Sequence, residues 1–188
     1  MYVKSRGILD ILKRVFTYCT KQTRKEALWL VSNIAANSDR DSEAIVDSQL
    51  MINLLCACRD SAYELRKEAI WVLSNIIHRI SDKERVEKLV EMDVMSTLIE
   101  LLQRDSDSGT ISSLGLNAVN QLLTRSDQAK FAFMKLGGED VALDLQLSQY
   151  HEVYKAASEI LERHCGAQEM NQLEKMEFIN SKEQPFNV

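Results

Sequence analysis

Apolar and polar residues alternate along this chain with the spacing of amphipathic helices, and one such arrangement occurs twice. The segment TRKEALWLVSNI at residues 23–34 is followed 42 residues later by LRKEAIWVLSNI at residues 65–76. On a helix that advances about 100° per residue, the apolar residues of each copy share one face. They are Ala27, Val31 and Ile34 in the first copy and Ala69, Leu73 and Ile76 in the second. A repeat of this length predicts a helical solenoid, in which each unit packs on the next.

Each copy also carries a tryptophan that points away from its apolar face. Trp29 and Trp71 lie about 140–160° from the apolar residues, beside a glutamate and an asparagine that lie within about 60° of the indole. Two exposed aromatic rings in register are typical of a contact surface. The alternative is that a neighbouring repeat covers both rings, because tryptophan is usually largely buried. The candidate binding residues are Glu26, Trp29, Ser32, Asn33, Glu68, Trp71, Ser74 and Asn75.

The rest of the chain continues the helical pattern with few interruptions. Six Gly and one Pro occur among 188 residues, so the sequence predicts an all-α fold. Helices are predicted at roughly 7–19, 22–37, 40–48, 50–59, 63–80, 82–92, 94–104, 110–125, 127–136, 139–149 and 150–165. Residues 1–166 are predicted to form a repeat array that starts within a repeat, followed by a tail at 167–188 that is amphipathic at first and then frayed.

The two later third helices do not repeat the tryptophan and asparagine. Alignment of their apolar positions places Asn117 and Gln121 in the third unit, and Lys155 and Glu159 in the last, where tryptophan and asparagine would stand. The expected binding surface is therefore confined to the two earlier copies. The start of the third unit carries the capping-box pattern Ser81-Asp82-Lys83-Glu84.

The pattern Glu-Ala-x-Trp-x-x-Ser-Asn resembles the third helix of the armadillo repeats of importin-α, the adaptor family that carries basic nuclear localisation signals. The resemblance covers nearly the whole chain, and Tyr150 to Gly166 also resembles the last repeat of that family. It implies a right-handed armadillo α-solenoid of about four repeats, equivalent to the C-terminal part of the family. It further implies an adaptor that works in the cytoplasm and the nucleus, is not an enzyme, and binds signal peptides at what the family calls the minor site.

Elementary chemistry gives each candidate residue type a role in such a site. Stacked repeats lie about 10 Å apart, so we expect Trp29 and Trp71 to form the walls of a slot. A Lys or Arg stem inserted there gains apolar burial and about 0.5–2 kcal/mol of cation–π attraction. Asn33 and Asn75 can both donate to and accept from the backbone of an extended peptide. The two glutamates can bind basic head groups, and the two serines can add polar contacts.

The sequence is also compatible with other roles for Glu26 and with other functions for the chain. Glu26 could close a capping box with Thr23 at its own helix start, whereas Glu68 has Leu65 in the equivalent place. The chain could also be an armadillo interaction scaffold without nuclear import activity. An enzyme or the regulatory subunit of one is a third reading, but the sequence offers no phosphate loop, metal motif or nucleophile motif for it.

The placement of cysteine, histidine and apolar residues argues against a metal site, a disulfide framework and a membrane span. Cys19, Cys56, Cys58 and Cys165 have no CxxC spacing, so we expect reduced, buried thiols in a cytosolic or nuclear compartment. His78, His151 and His164 are scattered and are expected at the surface or at helix ends. No apolar run is long enough for a membrane span, and no secretory leader is expected. We therefore expect no cofactor, no metal, no nucleic acid and no membrane partner.

The protein partners that the resemblance implies differ at the two ends of the chain. Residues 1–25 are basic but are spaced as an amphipathic helix, unlike the family's dense importin-β-binding segment, so direct binding of importin-β is not expected. From Glu139 onward the chain carries ten acidic and four basic residues. The family's last repeats bind an exportin, and this acidic stretch would suit a basic partner. An array that begins within a repeat is also expected to expose an apolar edge and to self-associate or be marginally stable.

Overall fold

The computed structural model describes the backbone of residues 3–166 and the side chains of residues 7–166. The predicted tail at 167–188, including its amphipathic segment, lies outside this range. The described residues are helical throughout, with short joints. The helices are α1 (Val3–Tyr18), α2 (Lys21–Asn37), α3 (Asp39–Val46), α4 (Leu50–Cys58), α5 (Tyr63–Arg79), α6 (Lys83–Glu91), α7 (Val94–Arg104), α8 (Gly109–Arg125), α9 (Asp127–Lys135), α10 (Gly138–Leu145), α11 (His151–Ile160) and the π-helix π1 (Leu161–Cys165).

The helices are arranged as three-helix units joined end to end. Their third helices form one continuous layer, in which α2 packs on α5, α5 on α8 and α8 on α11. The apolar faces inferred from the repeated segments line this layer; Ala69, Leu73 and Ile76 are fully buried. Because α5 and α8 each pack against a third helix on both sides, one core runs through successive units. The all-α repeat architecture expected from the sequence is confirmed.

Side chains just before the helices fix where several of them begin. Thr20 caps α2, and Asp82 caps α6 by accepting a hydrogen bond from the Arg85 amide. The capping box predicted at Ser81 is therefore wrong, and the alternative box between Thr23 and Glu26 is not formed, since each cap lies on another residue. At α6 the carboxylate of Asp82 takes the role expected of the Ser81 hydroxyl. Between α9 and α10, Gly137 adopts a left-handed conformation with φ of 70°.

The last unit departs most from the predicted boundaries. Helix α10 ends at Leu145 instead of near residue 149. Beyond it, the Leu147 and Ser148 amides donate to the carbonyls three residues earlier, those of Asp144 and Leu145, as in a turn. The final helix begins at His151, and it widens into the π-helix π1 over its last turn. The cysteine prediction is half wrong: Cys58 and Cys165 are buried, whereas Cys19 and Cys56 are exposed. Burial raises the pKa of the Cys58 thiol to about 12.

Arginine side chains connect each unit to the next. Arg66 on α5 binds both carboxylate oxygens of Asp105 at 2.6 Å, and both side chains are buried. It also donates to the Asp60 and Ser61 carbonyls in the joint between α4 and α5. In the previous unit Arg24 makes a looser ion pair with Asp60, at 3.8 Å. At the other end of the third helices, Arg125 donates to the carbonyls that end α5, which leaves fewer unpaired carbonyl groups there.

Two kinds of site are not found within the described part of the chain. No helix in residues 3–166 is both long and apolar enough to cross a bilayer. The side chains described there also contain no group of His, Cys, Asp or Glu that could hold a metal ion.

Candidate peptide-binding groove

The two tryptophans lie on neighbouring third helices, and both are open to solvent. Trp29 on α2 is 59% exposed, and Trp71 on the adjacent α5 is 42% exposed. The alternative in which a neighbouring repeat covers the rings is not observed. The apolar residues on the opposite side of each helix are buried between units, so the fold fixes both indoles on the outward side. We call the surface of α2 and α5 that carries Trp29 and Trp71 the tryptophan slot.

The two asparagines beside the slot already donate to backbone carbonyls. Asn33 Nδ2 donates to the Trp29 carbonyl one turn earlier, at 3.1 Å. Asn75 Nδ2 reaches across to α2, where it lies 3.0 Å from Ser32 Oγ and 3.3 Å from the Ser32 carbonyl. These bonds orient the amides and leave the carbonyl oxygen of each one free of any described intramolecular bond. An extended peptide could therefore be held through its own N–H groups.

Acidic side chains outnumber basic ones around the slot. Lys25 donates to Glu64 at 3.1 Å, and this hydrogen bond together with the negative charge of Glu64 raises the pKa of Lys25. Glu68 and Glu26 also act on Lys25 through their charges. Glu26 accepts a hydrogen bond from Gln22 Nε2 and makes no capping bond to the start of its own helix. Lys67 occupies the equivalent position one turn before Trp71, so three carboxylates face two lysines, which leaves the slot acidic and suited to a basic ligand.

The serines of the repeated segments have different surroundings. Ser32 is engaged with Asn75, so it helps to join the two units. Ser74 occupies the same position on α5 and is only half-buried. Because the Ser32 hydroxyl already bonds Asn75, Ser74 is the better placed of the two to make the predicted polar contact with a ligand.

Farther along the groove, the positions equivalent to the tryptophans carry polar side chains. Asn117 on α8 and Lys155 on α11 are exposed. Gln121, at the asparagine position, accepts a bond from Arg125 of its own helix. Glu159 pairs with Arg163 at 2.7 Å. The tryptophan slot is thus formed by α2 and α5, and α8 adds no third indole.

The structure also brings together residues that the sequence did not single out. Trp71 lines a pocket of about 680 Å³ together with Tyr63 at the start of α5, Tyr150 before α11, and Glu152. Nearer the end of the array, the His164 ring on π1 is hydrogen-bonded to Asn120 on α8 at 2.9 Å. Partial burial, and after it the charges of nearby basic groups, lowers the pKa of His164. The expectation of a surface or capping histidine is therefore wrong for His164, which bridges two units.

No protein-family model matches the sequence, and no curated protein does so either. Solved structures do match. A designed armadillo repeat protein in complex with the peptide (KR)4 gives a TM-score of 0.72 at 24% identity, over 80% of this chain and 62% of that one. A second designed armadillo repeat protein gives 0.73 at 24% identity, over 83% and 64% of the two chains.

Computationally designed armadillo repeat proteins for modular peptide recognition give a TM-score of 0.69 at 20% identity, over 80% of this chain and 60% of theirs. The chain thus spans about three-fifths of the length of these structures. At such identities the likeness establishes the fold. The eleven α-helices described above, stacked in three-helix units, have the architecture of the armadillo-repeat α-solenoid that the sequence predicts.

Proposed function

We propose that the tryptophan slot binds an extended peptide rich in Lys and Arg. The observation that carries this proposal is the pair of solvent-exposed indoles, Trp29 and Trp71, held in register on two packed helices. Exposed aromatic rings on facing repeats can take the methylene stem of a basic side chain and attract its charged head. Asn33 and Asn75 stand beside the rings with amide oxygens available to the peptide backbone.

Charge around the slot supports a basic ligand over an acidic one. Lys25 is already bound to Glu64, and Glu26 and Glu68 remain to attract a further cation. The designed armadillo protein that shares this fold is described in complex with (KR)4, a peptide of the same chemistry. A partner with clustered Lys and Arg therefore fits both the shape and the charge of the slot.

We further propose that the peptide is a basic nuclear localisation signal and that the chain acts as an importin-α-like adaptor in the cytoplasm and the nucleus. This step rests on the resemblance of the repeated segments to that family. The alternative is an armadillo interaction scaffold that binds peptides without taking part in import. A pulldown with purified importin-β tests one link between the chain and import. We expect no complex in the direct binary mixture, and a complex would favour the adaptor over the scaffold, with the basic helix α1 as the contact.

Peptide binding is tested by titrating the protein with a fluorescent peptide that contains four consecutive Lys or Arg residues. We expect measurable binding that weakens as salt rises, because exposed charges are screened beyond about 8–10 Å at physiological ionic strength. Replacing Trp71 and Asn75 together by Ala should abolish most of the binding.

The matched control is Asn117→Ala, which alters the equivalent exposed position on α8, outside the tryptophan slot. It should bind as the parent does. Circular dichroism must show that the Trp71→Ala/Asn75→Ala variant remains helical, because Asn75 also holds α2. If that variant is folded and binds as well as the parent, the slot does not bind peptide.

A further inference from the structure

Next to the tryptophan slot lies a second aromatic pocket that the slot does not include. Its walls are the rings of Tyr63, Trp71 and Tyr150, and each of these side chains is about 40% exposed. The pocket lies where α5, α8 and α11 begin, farther along the array than the slot. We call it the tyrosine pocket. Trp71 lines both sites, so a peptide that passes through the slot in an extended form can continue into the tyrosine pocket.

Contacts within the protein hold the two tyrosines in place before any ligand arrives. The Tyr63 hydroxyl lies 3.0 Å from Ser108 Oγ, and the Arg66 guanidinium lies 5.9 Å from the centre of the Tyr63 ring. The Tyr150 ring lies directly on Gly109, where a Cβ atom would come within 2.8 Å of it. Gly109 is thus the residue that gives the ring room. A pocket with fixed walls loses little conformational entropy when it binds a ligand.

The charge of the tyrosine pocket indicates what it binds. Glu152 is the single carboxylate among the lining residues, and neither Lys nor Arg lines it. Within the described residues the Glu152 side chain makes no hydrogen bond and no ion pair. Glu152 also lies in the first turn of α11, where a negative charge favours the helix. This charge effect needs no hydrogen bond from the Glu152 side chain. Its carboxylate therefore remains accessible to a ligand.

We propose that the tyrosine pocket binds a second Lys or Arg side chain of the peptide whose basic cluster occupies the tryptophan slot. The aromatic faces would surround the stem and the cation, and Glu152 would supply a charge-assisted hydrogen bond. This inference rests on the proposed function and specifies its ligand further. Units about 10 Å apart and a peptide that rises about 3.3 Å per residue place the second basic residue about three to six residues from the cluster.

The experiment compares peptides that carry the basic cluster and one further residue, Arg, Leu or Ala, about five residues before or after it. For the parent protein we expect Arg at one of the two ends to bind about 3–10 times more tightly than Ala, and Leu to resemble Ala. Glu152→Gln should reduce the advantage of Arg to about twofold or less. The matched control Glu162→Gln removes an exposed carboxylate from the same end of the array, outside the pocket, and should leave the advantage unchanged.

The outcomes separate this inference from the proposed function. If the cluster binds but Arg gives no advantage at either end, the tyrosine pocket does not take a second basic residue. An advantage that survives Glu152→Gln, or one that Leu matches, equally overturns the assignment, the latter in favour of an apolar side chain. If the cluster itself fails to bind the parent protein, the proposed function is wrong, and this inference fails with it.

Discussion

The buried pair of Arg66 and Asp105 shows how single residues join successive units of the solenoid. Both partners are nearly inaccessible, with exposed side-chain fractions of 8% and 7%. Two parallel hydrogen bonds connect them, and Arg66 also holds carbonyls at the end of the preceding joint. Removing one partner of such a pair leaves an uncompensated buried charge, which costs more than the pair itself contributes.

We expect Asp105→Asn to lower the free energy of unfolding by about 3 kcal/mol, as measured by urea denaturation. Glu100→Gln is the matched control, because Glu100 also binds an arginine of the preceding unit, Arg59. Its side chain is 51% exposed, so water and salt already screen the pair, and its loss should cost less than about 1 kcal/mol. Equal effects of the two substitutions would show that burial does not decide the strength of these links.

The Glu100 pair also has a pH dependence of known sign. Hydrogen bonds from Arg59, and to a lesser degree from Ser96, lower the pKa of Glu100 below its ordinary value of 4.5. A lowered pKa in the folded state means that the pair stabilises the protein above that ordinary value. The contribution is lost as the pH falls through the lowered pKa, and Glu100→Gln removes this dependence.

At the residue scale, the outward direction of the indoles was predictable and their partners were not. Trp29 and Trp71 point outward because apolar residues occupy the opposite side of the same helix, and this relation is fixed by helical geometry. The bond from Asn75 to Ser32 joins two units, and it depends on how far apart their helices lie. The arginines at 24 and 66 recur with the same 42-residue spacing as the tryptophans. That recurrence could have signalled their shared structural role.

At the scale of elements, α11 and its continuation π1 have a buried side and an accessible side. Val153, Ala157 and Ile160 are buried against the previous unit, and Leu161 is half-buried. Glu159 and Glu162 lie on the accessible side, with Glu159 paired to Arg163. The separation of these sides is what the apolar spacing predicted. We propose that residues 139–166 form a docking surface for an exportin, as the resemblance to importin-α implies, and that the outward acids Glu152, Glu159 and Glu162 contribute to it electrostatically.

Replacing Glu159 and Glu162 by Lys should weaken exportin capture and leave the thermal unfolding midpoint nearly unchanged, because neither side chain contributes to the core. Glu152 is kept in this variant, since it belongs to the tyrosine pocket. A matched pair of exposed acids outside residues 139–166, Glu91 on α6 and Asp127 on α9, serves as the control when changed to Lys. Unchanged capture by the folded Glu159→Lys/Glu162→Lys variant would contradict the docking surface.

At the scale of the whole molecule, stability depends on the contacts between third helices. Val72, Ala118 and Ala156 occupy equivalent positions on α5, α8 and α11, and each of them is buried. Leu30 holds the same position on α2, the first third helix among the described residues, and is 37% exposed. A substitution at this position is therefore expected to change the free energy of unfolding by different amounts in different units.

We expect Leu73→Ala, in the centre of this layer, to lower the free energy of unfolding by about 2–5 kcal/mol, because it leaves a cavity among fully buried neighbours. Leu30→Ala is the matched control and should cost about 1–2 kcal/mol at most, since 37% of the residue is already exposed to solvent. Both are measured by urea denaturation with circular dichroism. Similar losses at the two positions would mean that Leu30 is covered in solution, and sedimentation would then show whether a second copy of the chain covers it.

The sequence by itself determined the helices, the three-helix repeat and the two exposed tryptophans. These features follow from local periodicity, because the direction of a side chain on a helix depends only on its position along that helix. The sequence did not determine the helix ends, because either of two adjacent polar residues can cap the free backbone amides of the first turn. At α6 the cap is Asp82 and not Ser81.

The tertiary structure alone decided which residues of different units meet. The Arg66–Asp105 pair, the bond from Asn75 to Ser32, and the tyrosine pocket all join positions about 40 or more residues apart. Their contacts depend on the distance and angle between units, and no periodic pattern in the sequence encodes these quantities. Tyr150 reached the pocket because Gly109 has no side chain, a complementarity that appears once α8 and α11 are packed together.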